Sequence, residues 1–375
     1  MRSASSFTGA SFDCECGRHH SVDIQRIEVG PHALSKLPEC IPAGVSRVLL
    51  VADVNTFAAC GKNVADILSA HVVVDSFVFP DSELLPDERA VGSILVHLQP
   101  DAGLVVAVGS GAINDLCRFI SFMTGRPYIV CATAPSMDGY ASSHSPLLVN
   151  GMKTTHPAHY PLAILADTAV LASAPTRLYA AGVGDILGKY TALADWVLAH
   201  EVTGEYYCPF CVGLMREVLD SVVGNVRSGN TGPEAAATLF DALLLAGLSM
   251  GMSGCSRPAS GAEHHLAHYW ESDMLKNGLG HISHGAAVGV ATPIVLRLYE
   301  CMAPYLPKGI DLPSAEEVES LLRMAGGKVT PAMLGVGGAL LHDSLLHAME
   351  VRPRYTIFRY AKEKGLLEAF AKAYE

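Results

Sequence analysis

Short β-branched runs alternate with amphipathic helical stretches through the first half of the chain. "SRVLLVADVNTF" reads as a strand ending in a polar turn, with a helix following through "ACGKNVADILSAH". "HVVVDSFVFP" is a second strand and "DERAVGSILVHLQ" an amphipathic helix. "DAGLVVAVGSGAINDLCRFISFMTG" runs strand, glycine turn, helix, and further strands are expected in "RPYIVCATAPSM" and "LAILADTAVLASAP". Alternation at this spacing predicts a mostly parallel sheet covered on both faces. After Pro175 the texture changes. "TRLYAAGVGDILGKYTALADWVLAHEV" is one long helical pattern, and nearly everything beyond it is Ala- and Leu-rich at helical spacing. The expected organisation is an α/β domain over residues 1–172 and an all-helical domain over 173–375, with no internal repeat.

Composition narrows the class. Half of the 375 residues are hydrophobic and 17% are charged, which fits a compact globular protein with large buried surfaces. No run of about 18 uncharged apolar residues is found, so no membrane insertion is expected. The start, "MRSASSFTGASFDCECG", lacks the apolar core of a secretory leader, and a cytoplasmic location is expected. A net charge of -11 argues against nucleic acid as a partner but leaves room for a small anionic substrate held by local cations or helix amino termini. Ten cysteines scattered through such a chain are expected to be reduced. "CECGRHH" (Cys14, Cys16, His19, His20) resembles half of a zinc site with the spacing of no common finger, and "YYCPFC" (Cys208, Cys211) is a lone C-x-x-C. Small buried or turn thiols are the expected reading of both.

The chemistry concentrates in two places. "GAEHHLAHYWESDMLKNGLGHISHG" puts five histidines into a stretch otherwise small, apolar or acidic. His264 and His268 share one helical face, and His281 and His284 follow a short glycine-containing break. Any one of them alone fits a hydrogen-bonded core histidine. Together, two helices aiming histidines at one point suit a metal if a carboxylate joins them. Asp185 in "AAGVGDILGKY" is a candidate: Gly182, Gly184 and Gly188 thin its helix face, and its surroundings are apolar. The alternative is an exposed Asp paired with Lys189 one turn on.

The second place is "VVAVGSGAINDLCRF". Gly109, Ser110 and Gly111 form a sharp strand-to-helix turn whose free amides suit a pyrophosphate. Asn114 stands where a third glycine of the usual dinucleotide pattern belongs. The next strand ends in "TAPSMDGYASS", which brings Thr133, Ser136, Asp138 and Ser142 to the carboxyl edge of the same sheet, where open α/β sheets bind ligands. Asp53 lies on that edge, placed for an adenosine ribose.

"GSGAINDL", "TAPSMDGYASS", "AAGVGDILGKYTALADW", "SRPASGAEHHLAH" and "HGAAVG", in this order, resemble the glycerol-1-phosphate dehydrogenases of the iron-containing alcohol dehydrogenase and dehydroquinate synthase-like superfamily. The resemblance runs from about Asp53 to beyond Gly289. It implies a cleft site between a nucleotide-binding domain and a helical metal domain, and NAD(P)H-dependent interconversion of dihydroxyacetone phosphate and glycerol 1-phosphate. It implies Asp185, His264 and His284 as ligands of one divalent metal (zinc, nickel or iron), with Asp185 also beside the substrate. His268 and Asp138 would contact substrate as catalytic groups, His268 as proton carrier. "GSGAIND", including Asn114 and Asp115, together with "TAPS" and Ser142, would hold NAD(H) or NADP(H). Ala112 and Ala287 depart from common family residues, and His265 duplicates the histidine beside the implied ligand. Lys153 and Arg257 are the candidate cations for a phosphorylated small-molecule substrate, and a homo-oligomer is expected. Competing readings are a glycerol dehydrogenase acting on unphosphorylated polyol, a dehydroquinate synthase-like lyase, and a nucleotide-binding protein without catalysis.

Overall fold

The computed structural model describes residues 1–81 and 83–374. Six strands form one parallel sheet: β1 (Arg26–Gly30), β2 (Arg47–Asp53), β3 (Val73–Phe79), β4 (Leu104–Gly109), β5 (Tyr128–Ala132) and β6 (Ala163–Asp167). Their spatial order is β1-β6-β5-β4-β2-β3. The inner strands β2, β4, β5 and β6 are near-continuous apolar runs because both of their faces are buried. Leu49, Val51, Val105, Ala107, Val130 and Ile164 enter one core, while Val48, Leu50, Val106, Val108, Ile129 and Leu165 enter the other. The first of these cores continues into the helices, where Val183, Leu187, Trp196 and Phe240 join it.

Two stretches divide differently from their sequence pattern. In "LAILADTAVLASAP" only β6 is strand. The Asp167 carboxylate accepts from the Ala169 N–H at 2.9 Å and caps a helix, Thr168–Ser173. The long pattern after Pro175 is two helices, α2 (Thr176–Leu187) and α3 (Lys189–Thr203), which meet at Gly188; α1 (Gly111–Thr124) is the helix of the glycine turn. Four more long helices follow: α4 (Pro209–Ser228), α5 (Pro233–Ser253), α6 (Ala262–Lys276) and α7 (His284–Met302). Among the described residues no strand follows Asp167.

Two antiparallel hairpins were not foreseen. One pairs Ser11–Asp13 with His19–Ser21, and the other pairs His144–Val149 with Met152–Pro157. The second hairpin reaches over the sheet edge to α6. By length and composition α5 and the helix starting at His284 are apolar enough to cross a membrane, contrary to the sequence expectation, but 72% of the apolar window of each is buried inside the fold.

Candidate active site

The centre of the site is made where α2 crosses α7. A Cβ on Gly184 would lie 2.4 Å from the Gly285 carbonyl oxygen, and one on Gly285 would lie 2.1 Å from the Ala181 carbonyl oxygen. Only glycines let the two backbones approach this closely. That contact sets Asp185, on α2, beside His284, the first residue of α7. Gly182 does the same for the loop after β5, since a Cβ there would meet the Pro135 carbonyl oxygen at 2.0 Å.

α6 brings the third group. His264 lies in its first turn, and Asp185, His264 and His284 each offer an atom within 4.8 Å of the others. His264 Nε2 is 3.9 Å from Asp185 Oδ1, and the His264 and His284 rings lie 5.2 Å apart between centroids. Both imidazoles are oriented from behind. His264 Nδ1 is 2.7 Å from Glu263 Oε1, and His284 Nδ1 is 2.8 Å from Glu271 Oε1. A carboxylate on one ring nitrogen fixes the ring and leaves the other for a cation. His265, by contrast, is buried elsewhere with neither ring nitrogen bonded. Burial holds the His264 and His268 imidazoles well below their ordinary range, so both are neutral. Two imidazoles and one carboxylate fit a divalent metal with one position left open. The donor set passes that test.

Around it lies a buried charge network. Lys189 donates to Asp138 Oδ2 at 2.7 Å and to Asp185 Oδ1 at 2.8 Å, and the Asp138 N–H donates to Asp185 Oδ2 at 3.0 Å. The expected alternative for Asp185, an exposed pair with Lys189, is therefore half realised: the pair exists, but both side chains are fully buried. Burial and the neighbouring Asp185 raise the Asp138 carboxyl. Lys189 would be lowered by burial, but the two aspartates outweigh this and hold it charged. His268, one turn after His264, has its ring 5.3 Å from that of His284 and its Nδ1 3.8 Å from Glu271 Oε2.

Glu271 is the residue sequence reading missed. It is buried, yet it serves His284 with one oxygen and accepts from Lys153 Nζ at 2.6 Å with the other. Burial pushes its carboxyl up, but Lys153, His284 and His268 together bring it well below the carboxylate range. Its only sequence signal was a glutamate seven residues after His264 on the same helix. Arg352 was missed as well. Its charge acts on His264, His268 and Glu271, and burial lowers its own affinity for a proton.

Lys153 stands at this centre, but Arg257 does not serve as proposed. Its guanidinium is bound by both Glu205 carboxylate oxygens and by the Tyr355 carbonyl at 2.8 Å, so its donors hold the fold together.

The residues expected to hold the nucleotide lie at the carboxyl edge, where β2, β4 and β5 end. The Ser110 side chain makes no cap bond on α1, which leaves the first-turn amides of that helix for a ligand. A Cβ on Gly111 would find nothing nearer than 3.9 Å, so the chain is not crowded on that side of the turn. Thr133 and Ser136 are buried in the loop after β5. The other expected cofactor residues are engaged within the protein. Asp53 caps the short helix after β2 through the Asn55 and Thr56 N–H groups, at 2.8 and 2.9 Å. Ser142 bonds His144 within its own turn. Asn114 Nδ2 donates to the Gly139 carbonyl at 3.3 Å, while its buried Oδ1 has no partner. Asp115 pairs with Arg118 at 2.9 Å, and Arg118 in turn grips the Gly139, Tyr140 and His144 carbonyls. Asp115, raised to about 6 by burial, is thus a brace for the Asp138 loop.

Residues 28–175 match the family model described as iron-containing alcohol dehydrogenase. A glycerol-1-phosphate dehydrogenase [NAD(P)+] from Geobacillus stearothermophilus is 36% identical over 95% of this chain and 96% of its own length. Among solved structures, a maleylacetate reductase from Agrobacterium tumefaciens superposes with a TM-score of 0.72 at 18% identity, covering 94% of this chain and 96% of the other. A glycerol dehydrogenase from Schizosaccharomyces pombe gives 0.69 at 18% identity, covering 94% and 91%. These two carry the fold, and the near-full-length relative carries the family: the chain belongs to the glycerol-1-phosphate dehydrogenases of the iron-containing alcohol dehydrogenase superfamily.

Proposed function

We propose that the protein is an NAD(P)-dependent, metal-dependent dehydrogenase interconverting dihydroxyacetone phosphate and glycerol 1-phosphate. The observation that carries this reading is the convergence of Asp185, His264 and His284, each imidazole backed by a carboxylate, beside an uncapped helix amino terminus. When bound, the metal supplies Lewis acidity toward the substrate C2 oxygen, and the nicotinamide supplies or accepts the hydride.

The chain's own residues do the rest. The α1 amides and Gly111 receive the pyrophosphate, since a helix amino terminus carries partial positive charge. Asp138, fixed by Lys189, contacts the substrate hydroxyls. His268 is neutral and sits between the ligand histidines and Glu271, so it can accept the C2 hydroxyl proton at a ring nitrogen or return it. Lys153 and Arg352 are the cations for the substrate phosphate. Arg352 replaces Arg257 in that role because Arg257 is held by Glu205. The arginine matters for selectivity: a half-buried cation that contacts phosphate favours a phosphorylated ketone over dihydroxyacetone.

The test follows NADH and NADPH absorbance with dihydroxyacetone phosphate, dihydroxyacetone and maleylacetate as substrates. Turnover confined to the phosphorylated triose supports the reading. Equal turnover of dihydroxyacetone moves the assignment to an unphosphorylated polyol, and no net cofactor turnover with any substrate overturns it.

A further inference from the structure

The two cysteine motifs that the catalytic site does not use meet in space. Cys14 and Cys16 lie in the turn of the amino-terminal hairpin, where the Cys14 N–H donates to the Arg18 carbonyl at 3.0 Å and Gly17 takes a left-handed φ of 80°. His20 is on the returning strand. Cys208 arrives from the other end of the fold, as the residue that caps α4. The four donor atoms all lie within 4.8 Å of one another.

We propose that Cys14, Cys16, His20 and Cys208 form a second, structural metal site, with zinc as the fitting ion. The distances support a shared centre. Tetrahedral zinc has bonds of about 2.3 Å to sulfur and about 2.05 Å to nitrogen, so its ligands stand about 3.8 Å apart for S···S and about 3.6 Å for S···N. Cys14 Sγ to Cys208 Sγ is 3.9 Å, and His20 Nε2 lies 3.5 Å from both Cys16 Sγ and Cys208 Sγ. A disulfide needs about 2.05 Å between sulfurs, so this spacing is not that of a poised disulfide.

The setting is built for thiolates. Cys208 Sγ caps the 20-residue α4 and accepts from the Cys211 N–H at 3.5 Å, and both favour negative charge on sulfur. Cys16 Sγ is 3.2 Å from the Tyr206 hydroxyl, a donor for a second thiolate. His20 is fully buried, packed against the Phe12 and Phe210 rings, and its Nε2 faces only sulfur. An imidazole sealed into apolar surroundings with no oxygen partner calls for a stronger acceptor than a thiol. Cys211 stays outside the set, its Sγ directed to the Ser249 carbonyl at 3.7 Å. Four protein donors close the coordination shell, unlike the open three-donor centre on α2, α6 and α7, so the role is to pin the hairpin to α4. Binding releases one proton from each of the three thiols and changes no oxidation state.

The test uses full-length protein purified under reducing conditions. Cobalt(II) is titrated into metal-free wild type and into a His264→Ala/His284→Ala variant that lacks the other centre. Expected is a thiolate-to-cobalt charge-transfer band with strong tetrahedral visible bands, saturating at one equivalent in both proteins. Mass spectrometry should find total metal falling from two per chain in wild type to one in the double variant, the one that remains being zinc. Cys16→Ser on that background should lose the band and the remaining zinc; the wild-type titration decides the matter even if this variant does not fold. A wild type whose Cys14, Cys16 and Cys208 thiols react freely with a thiol reagent at saturating cobalt, without charge transfer, overturns the proposal. So does a Cys14–Cys208 disulfide in the reduced preparation. Neither result touches the dehydrogenase assignment, which rests on the other donor set.

Discussion

Replacing Glu271 by glutamine removes one charge and almost no volume from the middle of the site. The wild-type carboxylate serves His284 Nδ1 with one oxygen and Lys153 with the other, at 2.8 and 2.6 Å. A glutamine accepts at only one atom, so one of these donors loses its partner. If the amide oxygen stays with Lys153, the His284 ring is no longer backed by an anion. Loss of such a partner typically weakens a metal site about 10–100-fold, which is about 1.4–2.7 kcal/mol at 1.36 kcal/mol per tenfold. If the oxygen stays with His284, Lys153 is stranded. Breaking a buried ion pair costs about 3–5 kcal/mol, but the Lys153 side chain is 22% exposed and can turn to water, so about 1–2 kcal/mol is expected. The two effects separate in two assays: competition with a calibrated chelator reads metal affinity, and urea unfolding of the metal-free protein reads stability. Glu271→Gln should raise the metal Kd at least tenfold. A Kd within twofold of wild type, with stability alone reduced, would refute the claim that Glu271 acts through His284.

Four other outcomes are expected. His268→Ala should keep its metal, measured by mass spectrometry, while kcat falls about 10²–10⁴-fold as expected for loss of a general acid–base; loss of metal would make it a ligand instead. Gly184→Ala should push α2 and α7 apart at their backbone contact, costing about 2–3 kcal/mol in a urea melt and lowering metal occupancy with it. Asp195→Ala should cost about 3–5 kcal/mol, because its carboxylate accepts from the Ala262 N–H, the Ile357 N–H and the Tyr299 hydroxyl at 2.6–2.7 Å and each buried orphan donor costs about 1–3. Arg352→Met should raise KM for dihydroxyacetone phosphate at least tenfold with little change in KM for NADH; an equal rise in both would exclude a phosphate contact.

Legibility in the sequence followed how locally each feature is encoded. β2, β4 and β5 are apolar without interruption because both sheet faces are covered, and such runs stand out. β1, "RIEVG", is a short edge strand with two charged residues and gave no comparable signal. The histidines stood out by density, and the glycines around Asp185 announced a close helix contact that the α2–α7 crossing makes explicit. Glu271 did not stand out, since a glutamate in "YWESD" reads as solvated helix surface until Lys153, 118 residues away, and His284, on the next helix, are brought to it. Arg257 misled for the same reason: an arginine near a histidine cluster looks available until Glu205, 52 residues away, is seen to hold it. The meeting of Cys14 and Cys16 with Cys208 is non-local in the same sense, joined only by tertiary packing.

The charge distribution ties these pieces to one requirement. A chain with net charge -11 repels a phosphorylated substrate at long range, so any attraction must be local. Lys189 offsets one of the two charges of Asp138 and Asp185, and Lys153 offsets that of Glu271. Without these two lysines, four buried carboxylates (Asp138, Asp185, Glu263 and Glu271) would face the same cleft and no anion would enter it. With them, two of those four charges are offset, and the remaining two suit a divalent cation. Arg352 adds a further cation, which interacts with Glu271 and whose charge acts on His264 and His268. A cation beside the imidazole cluster is a feature a phosphate needs and an unphosphorylated polyol does not. That is why the selectivity between the two substrates is expected to fail first at Arg352, while hydride transfer to a neutral ketone survives its loss.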